Sequence, residues 1–153
     1  MPKTRKLAQS CLTVLLLGVG FLFVTATPAA ASSYKCAAYG VGIKYGVRNG
    51  SFCDTVHGSG TYVETVTGTF GAKIFGLDQV CNPSMKMDVY DRWGNWITWR
   101  QGAQRSGCFP GAVNTLPTIS VWWDFPQARC GYVKVTLQSY GNYVAENRHG
   151  LAC

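Results

Sequence analysis

Two histidines and one glutamate are the side chains of this chain best suited to acid–base chemistry. His57 lies in the segment Thr-Val-His-Gly-Ser-Gly, Glu64 follows it by seven residues, and His149 lies in Asn-Arg-His-Gly. Histidine paired with a carboxylate is a common arrangement for general acid–base catalysis near neutral pH. A secreted nuclease or glycosidase is therefore one hypothesis. Both histidines precede glycine in turn-like segments, however, where a solvated histidine is ordinary, and their order along the chain does not bring them together.

Asp124 is the fourth candidate for catalysis, because it follows Trp122 and Trp123 and precedes Phe125 and Pro126. Apolar neighbours favour the protonated form of a carboxyl group, which would suit a general acid in an apolar pocket. The simpler interpretation is an aspartate that begins a turn before proline. Two histidines make a poor zinc site, and the chain has no nucleophile elbow, His-Glu-x-x-His motif or phosphate-binding glycine loop. We therefore expect no metal and no cofactor.

Tryptophan and arginine offer binding chemistry instead. Arg92 and Trp93 lie in a turn between two alternating segments, where no core is available. Neighbours in a strand point to opposite faces, so Trp122 and Trp123 cannot both be core residues. Exposed tryptophan beside arginine is typical of binding hot spots and sugar-stacking surfaces, although small β-domains also use large aromatic residues to cover thin cores. The predicted binding residues are Arg92, Trp93, Trp96, Trp122 and Trp123.

The first 31 residues have the features of a secretory signal peptide. Three basic residues among the first six precede an uncharged apolar run over residues 12–24, and three consecutive alanines end at Ala31. This pattern predicts cleavage before Ser32 and is too short for a membrane span. We predict a secreted, extracellular protein with one domain over residues 32–153 and no membrane span in the mature form.

The cysteines indicate a disulfide framework. Of seven cysteines, Cys11 would leave with the signal, and six remain in an exported chain, which favours three disulfides. Six cysteines allow fifteen pairings, but each successive pair brackets a predicted hairpin, so sequential pairing is the best guess. The predicted pairs are Cys36–Cys53, Cys81–Cys108 and Cys130–Cys153.

The net charge of +7 overstates the positive charge of the predicted mature chain. Three of the 14 basic residues lie in the signal segment, which leaves 11 basic against seven acidic residues and a net charge of +4. The remaining positive charges are scattered and form no run or stripe. Nucleic-acid binding is therefore unsupported.

Alternation and turn signals dominate the rest of the chain, and no segment has sustained helical spacing. We predict an all-β fold, a disulfide-stabilised antiparallel β-sandwich or small β-barrel of about eight strands. Residues 102–116 have no strand pattern and are expected to form a surface loop. The segments with strand character are residues 43–48 before an Asn49-Gly50 turn, then 51–53, 61–67, 69–75, 85–90, 96–99, 118–123, 132–137 and 143–146.

Export, disulfides and exposed tryptophan and arginine favour a small secreted binding protein. Such a protein would inhibit or antagonise another protein, or bind cell-surface carbohydrate. The alternative is a small exported β-barrel enzyme whose aromatic-lined pocket orients an apolar natural product, as a cyclase would. The expected partners are accordingly another protein, a carbohydrate or a small apolar ligand.

Overall fold

The computed structural model describes residues 32–39, 50–72, 79–110 and 112–153, and this part of the chain is almost entirely β-structure. The predicted all-β class is therefore confirmed. The predicted signal peptide, the segment 43–48, Asn49 of the predicted turn and residues 73–75 of the segment 69–75 lie outside the described residues. The strands are β1 (Ser33–Tyr39), β2 (Gly50–Ser59), β3 (Tyr62–Ala72), β4 (Gln79–Cys81), β5 (Pro83–Tyr90), β6 (Trp96–Gln101), β7 (Cys108–Pro110), β8 (Asn114–Thr115), β9 (Ile119–Asp124), β10 (Tyr132–Ser139) and β11 (Asn142–Gly150), with a 3₁₀ turn at Pro126–Ala128.

The strands form two main antiparallel sheets and one small ribbon. In the first sheet the order is β1-β2-β3, and both β8 and β9 pair with the far side of β3. In the second sheet the order is β11-β10-β5-β6. The ribbon consists of β4 and β7. Hairpins join β2 to β3, β5 to β6 and β10 to β11, and the turn between β5 and β6 is the one predicted at Arg92 and Trp93.

The two main sheets pack face to face on a common core. Alternate residues of β2 and β3, such as Phe52 and Val66, meet alternate residues of β5 and β10, such as Met87 and Val135, and all four are fully buried. The sheets approach closely at Gly68, where an added Cβ would overlap the Sδ atom of Met85. The described residues therefore form a sandwich, and no closed barrel is found among them.

The strand count and the predicted loop need correction. The described residues form eleven strands rather than about eight. The segments predicted from alternation did not include β1, and β4, β7 and β8 have only two or three residues each, too few to show alternation. Residues 102–116 contain β7 and β8 and so are not a simple surface loop. Strand β3 runs uninterrupted through Gly68.

Three disulfides connect the cysteines in sequential pairs. Cys36–Cys53 joins directly opposite residues of β1 and β2, and Cys81–Cys108 does the same for β4 and β7. Cys130–Cys153 ties the segment after the 3₁₀ turn to the residues that follow β11. Loops of this length correspond to about 3 kcal/mol of stabilisation per bridge. Such a framework fits an extracellular protein. Within the described residues, no helix is long and apolar enough to cross a membrane.

Candidate binding surface

The tip of the β5–β6 hairpin, residues 91–95, exposes Trp93 to solvent on a backbone that is held by hydrogen bonds. The Asp91 carboxylate accepts hydrogen bonds from the backbone N–H groups of Trp93 (2.9 Å) and Asn95 (2.8 Å), and from the Asn95 side-chain amide (2.8 Å). Gly94 supplies the left-handed backbone, φ +85°, that the turn requires. Trp93 is 70% exposed, and the Arg92 guanidinium lies 4.0 Å from the centroid of its ring. The tip therefore presents a cation–π pair without burying it.

The hydrogen bonds at the tip favour the ionised form of the Asp91 side chain. Desolvation acts to raise the pKa of Asp91, but hydrogen bonds from the Asn95 side chain and from the backbone N–H groups of Asn95, Trp93 and Gly94 together hold the pKa below its ordinary value. The carboxylate is thus charged near neutral pH, where it orders the tip.

The base of the tip is packed tightly against the start of β10. A Cβ added at Gly131 would overlap the carbonyl oxygen of Tyr90 and come within 2.8 Å of the Asp91 carbonyl carbon. The Gly131 N–H donates to the Ala128 carbonyl (2.7 Å), and the Leu151 N–H donates to the Gly131 carbonyl (2.9 Å). The tip is therefore supported from below by the main chain of neighbouring elements.

A row of three aromatic residues crosses the outer face of the second sheet next to the tip. Trp96 on β6 is opposite Tyr90 on β5, and Tyr90 is opposite Tyr132 on β10. The two tyrosine rings stack with centroids 4.7 Å apart and planes 12° from parallel. Trp99, on the same face of β6, is 46% exposed and Trp96 is 55% exposed. We call Tyr90, Trp96, Trp99 and Tyr132 the aromatic face.

Polar groups lie between the rings of the aromatic face. Asp88 lies between Trp99 and Lys134 in the cross-strand register. Its carboxylate accepts a hydrogen bond from the Trp96 indole N–H (3.2 Å) and forms an ion pair with the Lys86 ammonium (2.9 Å). The Lys86 ammonium also lies 5.7 Å from the Trp99 ring centroid. This part of the face therefore combines apolar ring surface with fixed hydrogen-bonding groups.

The other charges of this face are also paired. Lys134 and Arg148 both contact the Glu146 carboxylate, at 3.7 Å and 3.2 Å. The same two cations lie beside the rings of Tyr90 and Tyr132, at 5.5 Å and 5.4 Å from the centroids. The cations and carboxylates of the face thus largely neutralise one another.

Trp122 and Trp123 are both exposed, at 61% and 57%. A register shift between Val63 and Thr65 marks a bulge in the β3–β9 pairing, and Trp122 has a left-handed backbone, φ +51°. The bulge breaks the simple alternation that would have turned one of the two side chains inward. Arg100 of β6 lies 5.5 Å from the Trp123 ring centroid, which connects this pair to the edge of the second sheet.

A surface groove of about 440 Å³ lies beside the tip. Two arginines, Arg92 and Arg129, line it, and the Cys130–Cys153 disulfide forms part of its wall. A smaller groove of about 390 Å³ adjoins it and shares Arg129 as a lining residue. We call the larger one the arginine groove. Its lining residues are Arg92, Trp93, Pro126, Gln127, Arg129, Cys130 and Cys153.

The structure does not bring the two histidines together. His57 is on the outer face of β2, half-buried, with its Nε2 atom 3.2 Å from the Thr67 hydroxyl. His149 is fully buried on the inner side of β11. Glu64 is half-buried at a register shift of β3, and no hydrogen bond or ion pair connects it to either histidine in the described part of the chain. The first sheet lies between the histidines, so they cannot act on one substrate.

His149 instead belongs to a buried polar cluster between the sheets. Its Nε2 atom lies 2.6 Å from Oδ2 of Asp54, and the Asn147 amide donates to Oδ1 of the same carboxylate. Asp54 and His149 are both essentially inaccessible to solvent. Sequence reasoning missed Asp54 and Asn147. The available signal was the position of Asp54 between Phe52 and Val56, since alternation places it on the core side of β2.

Asp124 is exposed and accepts a hydrogen bond from the Thr61 hydroxyl (2.5 Å). Neither groove at this end of the sandwich is lined by Asp124, Trp122 or Trp123. Its contact with Thr61 fastens the end of β9 to the β2–β3 hairpin, which is a structural role. Within the described residues, no group of three or more histidine, cysteine, aspartate or glutamate side chains is arranged to hold a metal ion.

Comparison of the chain with protein-family models, with curated proteins and with solved structures gives no match.

Proposed function

We propose that this protein is a secreted binding protein whose ligand is a cell-surface carbohydrate. The observation that carries the proposal is the row Trp96–Tyr90–Tyr132, three aromatic side chains aligned across adjacent strands of one sheet. Rigid aromatic rings on a sheet lose little conformational entropy on binding. The C–H faces of pyranose rings can stack on the exposed Trp96 and Trp99 rings, which the stacked tyrosines support from the side, while the sugar hydroxyls need fixed hydrogen-bonding partners.

Such partners lie directly beside the rings. The Lys86 ammonium lies 5.7 Å from the Trp99 ring centroid, and the buried Asp88 carboxylate holds both Lys86 and the Trp96 indole in place. Gln101, on the same outer face, donates to the Gln138 side chain (2.8 Å) and the Ser84 hydroxyl (3.2 Å). Because most of these groups are held by one another, they need little reorganisation to hydrogen-bond a polyhydroxylated ligand. Largely neutralised charges also suit a ligand recognised by hydroxyl groups.

The rigid tip favours a second candidate, an antagonist of another protein. Trp93 and Arg92 are the residue types most enriched in protein–protein hot spots, and Asp91 fixes the backbone that carries them. In this case the tip would insert into a pocket of the partner and the aromatic face would remain free. The cyclase-type enzyme has less support, since the grooves beside the tip open at the surface and the core between the sheets is filled by side chains.

The experiment is a co-sedimentation assay of the mature protein with insoluble cellulose, chitin, β-glucan and peptidoglycan. We expect at least one polysaccharide to retain the protein. The double variant Trp96→Ala/Tyr132→Ala should lose this binding, by about 30-fold or more in affinity if the rings contribute about 2 kcal/mol. Tyr143→Ala removes an exposed aromatic residue from the opposite end of the second sheet and serves as the matched control. Equal retention of both variants would contradict the proposal.

A further inference from the structure

No aspartate or glutamate side chain of the described residues neutralises the positive charge of the arginine groove. Among those residues, no aspartate or glutamate side chain pairs with Arg92 or Arg129, and none lines either groove. This contrasts with Lys86, Lys134 and Arg148 on the aromatic face, each of which has a carboxylate partner. Two guanidinium groups around one concavity without an aspartate or glutamate side chain attract an anion.

The two arginines are held in defined positions. The Arg129 Nε–H donates to the main-chain oxygen of Cys153 (2.9 Å), so its guanidinium is anchored through one nitrogen. Arg92 lies against the Trp93 ring, on the tip that Asp91 fixes. Their supports are a disulfide-bonded segment on one side and a hydrogen-bonded turn on the other. Little side-chain ordering would therefore be required when a ligand binds.

The lining of the groove indicates the class of anion. A guanidinium group matches the planar geometry of a carboxylate with two parallel N–H donors. The exposed Trp93 ring provides an apolar surface beside the charges, and the Gln127 amide is a neutral hydrogen-bonding group. An acidic sugar has all three complementary features, since it carries a carboxylate, an apolar ring face and hydroxyl groups.

We propose that the arginine groove binds the carboxylate of a uronic acid residue in the polysaccharide that the aromatic face engages. The two surfaces meet at the tip, where Trp93 lines the groove and Trp96, three residues later, begins the aromatic row. One acidic chain could therefore occupy both. This inference rests on the proposed function, because it concerns the same polysaccharide and adds that this ligand carries carboxylate groups.

The test measures the affinity of the mature protein for three uronate polymers, polygalacturonate, alginate and hyaluronan, each beside its carboxyl-reduced form. At least one polymer should bind about tenfold or more tightly than its reduced form, with an affinity that falls as salt rises. Arg129→Gln and Arg92→Gln should each bring its affinity to that of the reduced form. Lys35→Gln, which removes an exposed positive charge from β1, is the matched control and should change nothing.

Two results would overturn the groove proposal. One is that no uronate polymer is distinguished from its reduced form, and the other is that dextran sulfate binds as tightly as the best uronate, which would indicate general polyanion attraction. If neutral polysaccharides still bind and Trp96→Ala weakens them, the proposed function stands without the groove. If Arg129→Gln weakens uronate binding but Trp96→Ala does not, the groove proposal is supported and the proposed role of the aromatic face is wrong. Melting curves of all variants establish that each is folded.

Discussion

The Nε2 atom of His149 lies 2.6 Å from Oδ2 of Asp54, and this pair joins β11 of one sheet to β2 of the other inside the sandwich. Asn147 donates to the second carboxylate oxygen, and its amide also lies 3.3 Å from the carbonyl oxygens of Lys35 and Phe52. The cluster thus connects the two sheets through buried side chains, and His149 is one of its members.

We predict that Asp54→Ala strongly destabilises the protein, because it leaves the buried His149 and Asn147 side chains without their partner. Leaving a buried polar group without its hydrogen-bond partner costs about 1–3 kcal/mol for each group. His57→Ala is the matched control, since His57 lies on the outer face with one hydroxyl contact, and should cost less than about 1 kcal/mol. Urea denaturation measures both. A loss at His57 equal to that at Asp54 would contradict the structural role of the cluster.

Order at the hairpin tip should depend on pH through Asp91. Its pKa is lowered in the folded protein, so its stabilising contribution is present above the ordinary value of 3.8 and is lost as the pH falls through the lowered folded value. The amide resonances of Trp93 and Asn95 should therefore change on acidification from about pH 6 to about pH 2, with a midpoint below that of a free aspartate. In Asp91→Asn this transition should disappear. Persistence of the transition in the variant would assign it to another group.

Gly131 tests whether the tip must be supported from below. An alanine there would overlap the Tyr90 carbonyl, so we expect Gly131→Ala to cost about 1–3 kcal/mol and to weaken ligand binding by displacing the tip. Gly150→Ala is the control, because an added Cβ there meets no atom within 4 Å. Its effect should stay within about 0.5 kcal/mol. Tolerance of alanine at both positions would mean that the tip is not held by this contact.

The sequence identified several of the longer strands and the disulfide pairs, but not the short strands or the arrangement of the site. Alternation identified β5 and the start of β10, and cysteine spacing favoured the sequential pairing that the structure has. The stacking of Tyr90 on Tyr132 was not predictable, because it depends on β5 pairing with a strand more than 40 residues later. Hydrophobic patterns show which side of a strand is buried but not which strand lies next to it.

The position of Arg129 next to Arg92 was also not predictable from the sequence. In the sequence it is one of several scattered arginines, and only the fold places it across a groove from Arg92. The outward direction of both Trp122 and Trp123 also needed the structure, since a bulge at one residue overrides the alternation rule. By contrast, the exposure of Trp93 followed directly from its place in a turn signal.

The most direct test of the central claim follows the five tryptophan indole N–H resonances while a soluble oligosaccharide of the retained polysaccharide is added. Single Trp→Phe variants assign the resonances. The account predicts that the resonances of Trp96 and Trp99 on the aromatic face, together with Trp93 at the tip, shift as the ligand binds and give one common Kd. Shifts confined to Trp122 and Trp123, or no shift of any indole while the ligand is demonstrably bound, would contradict it.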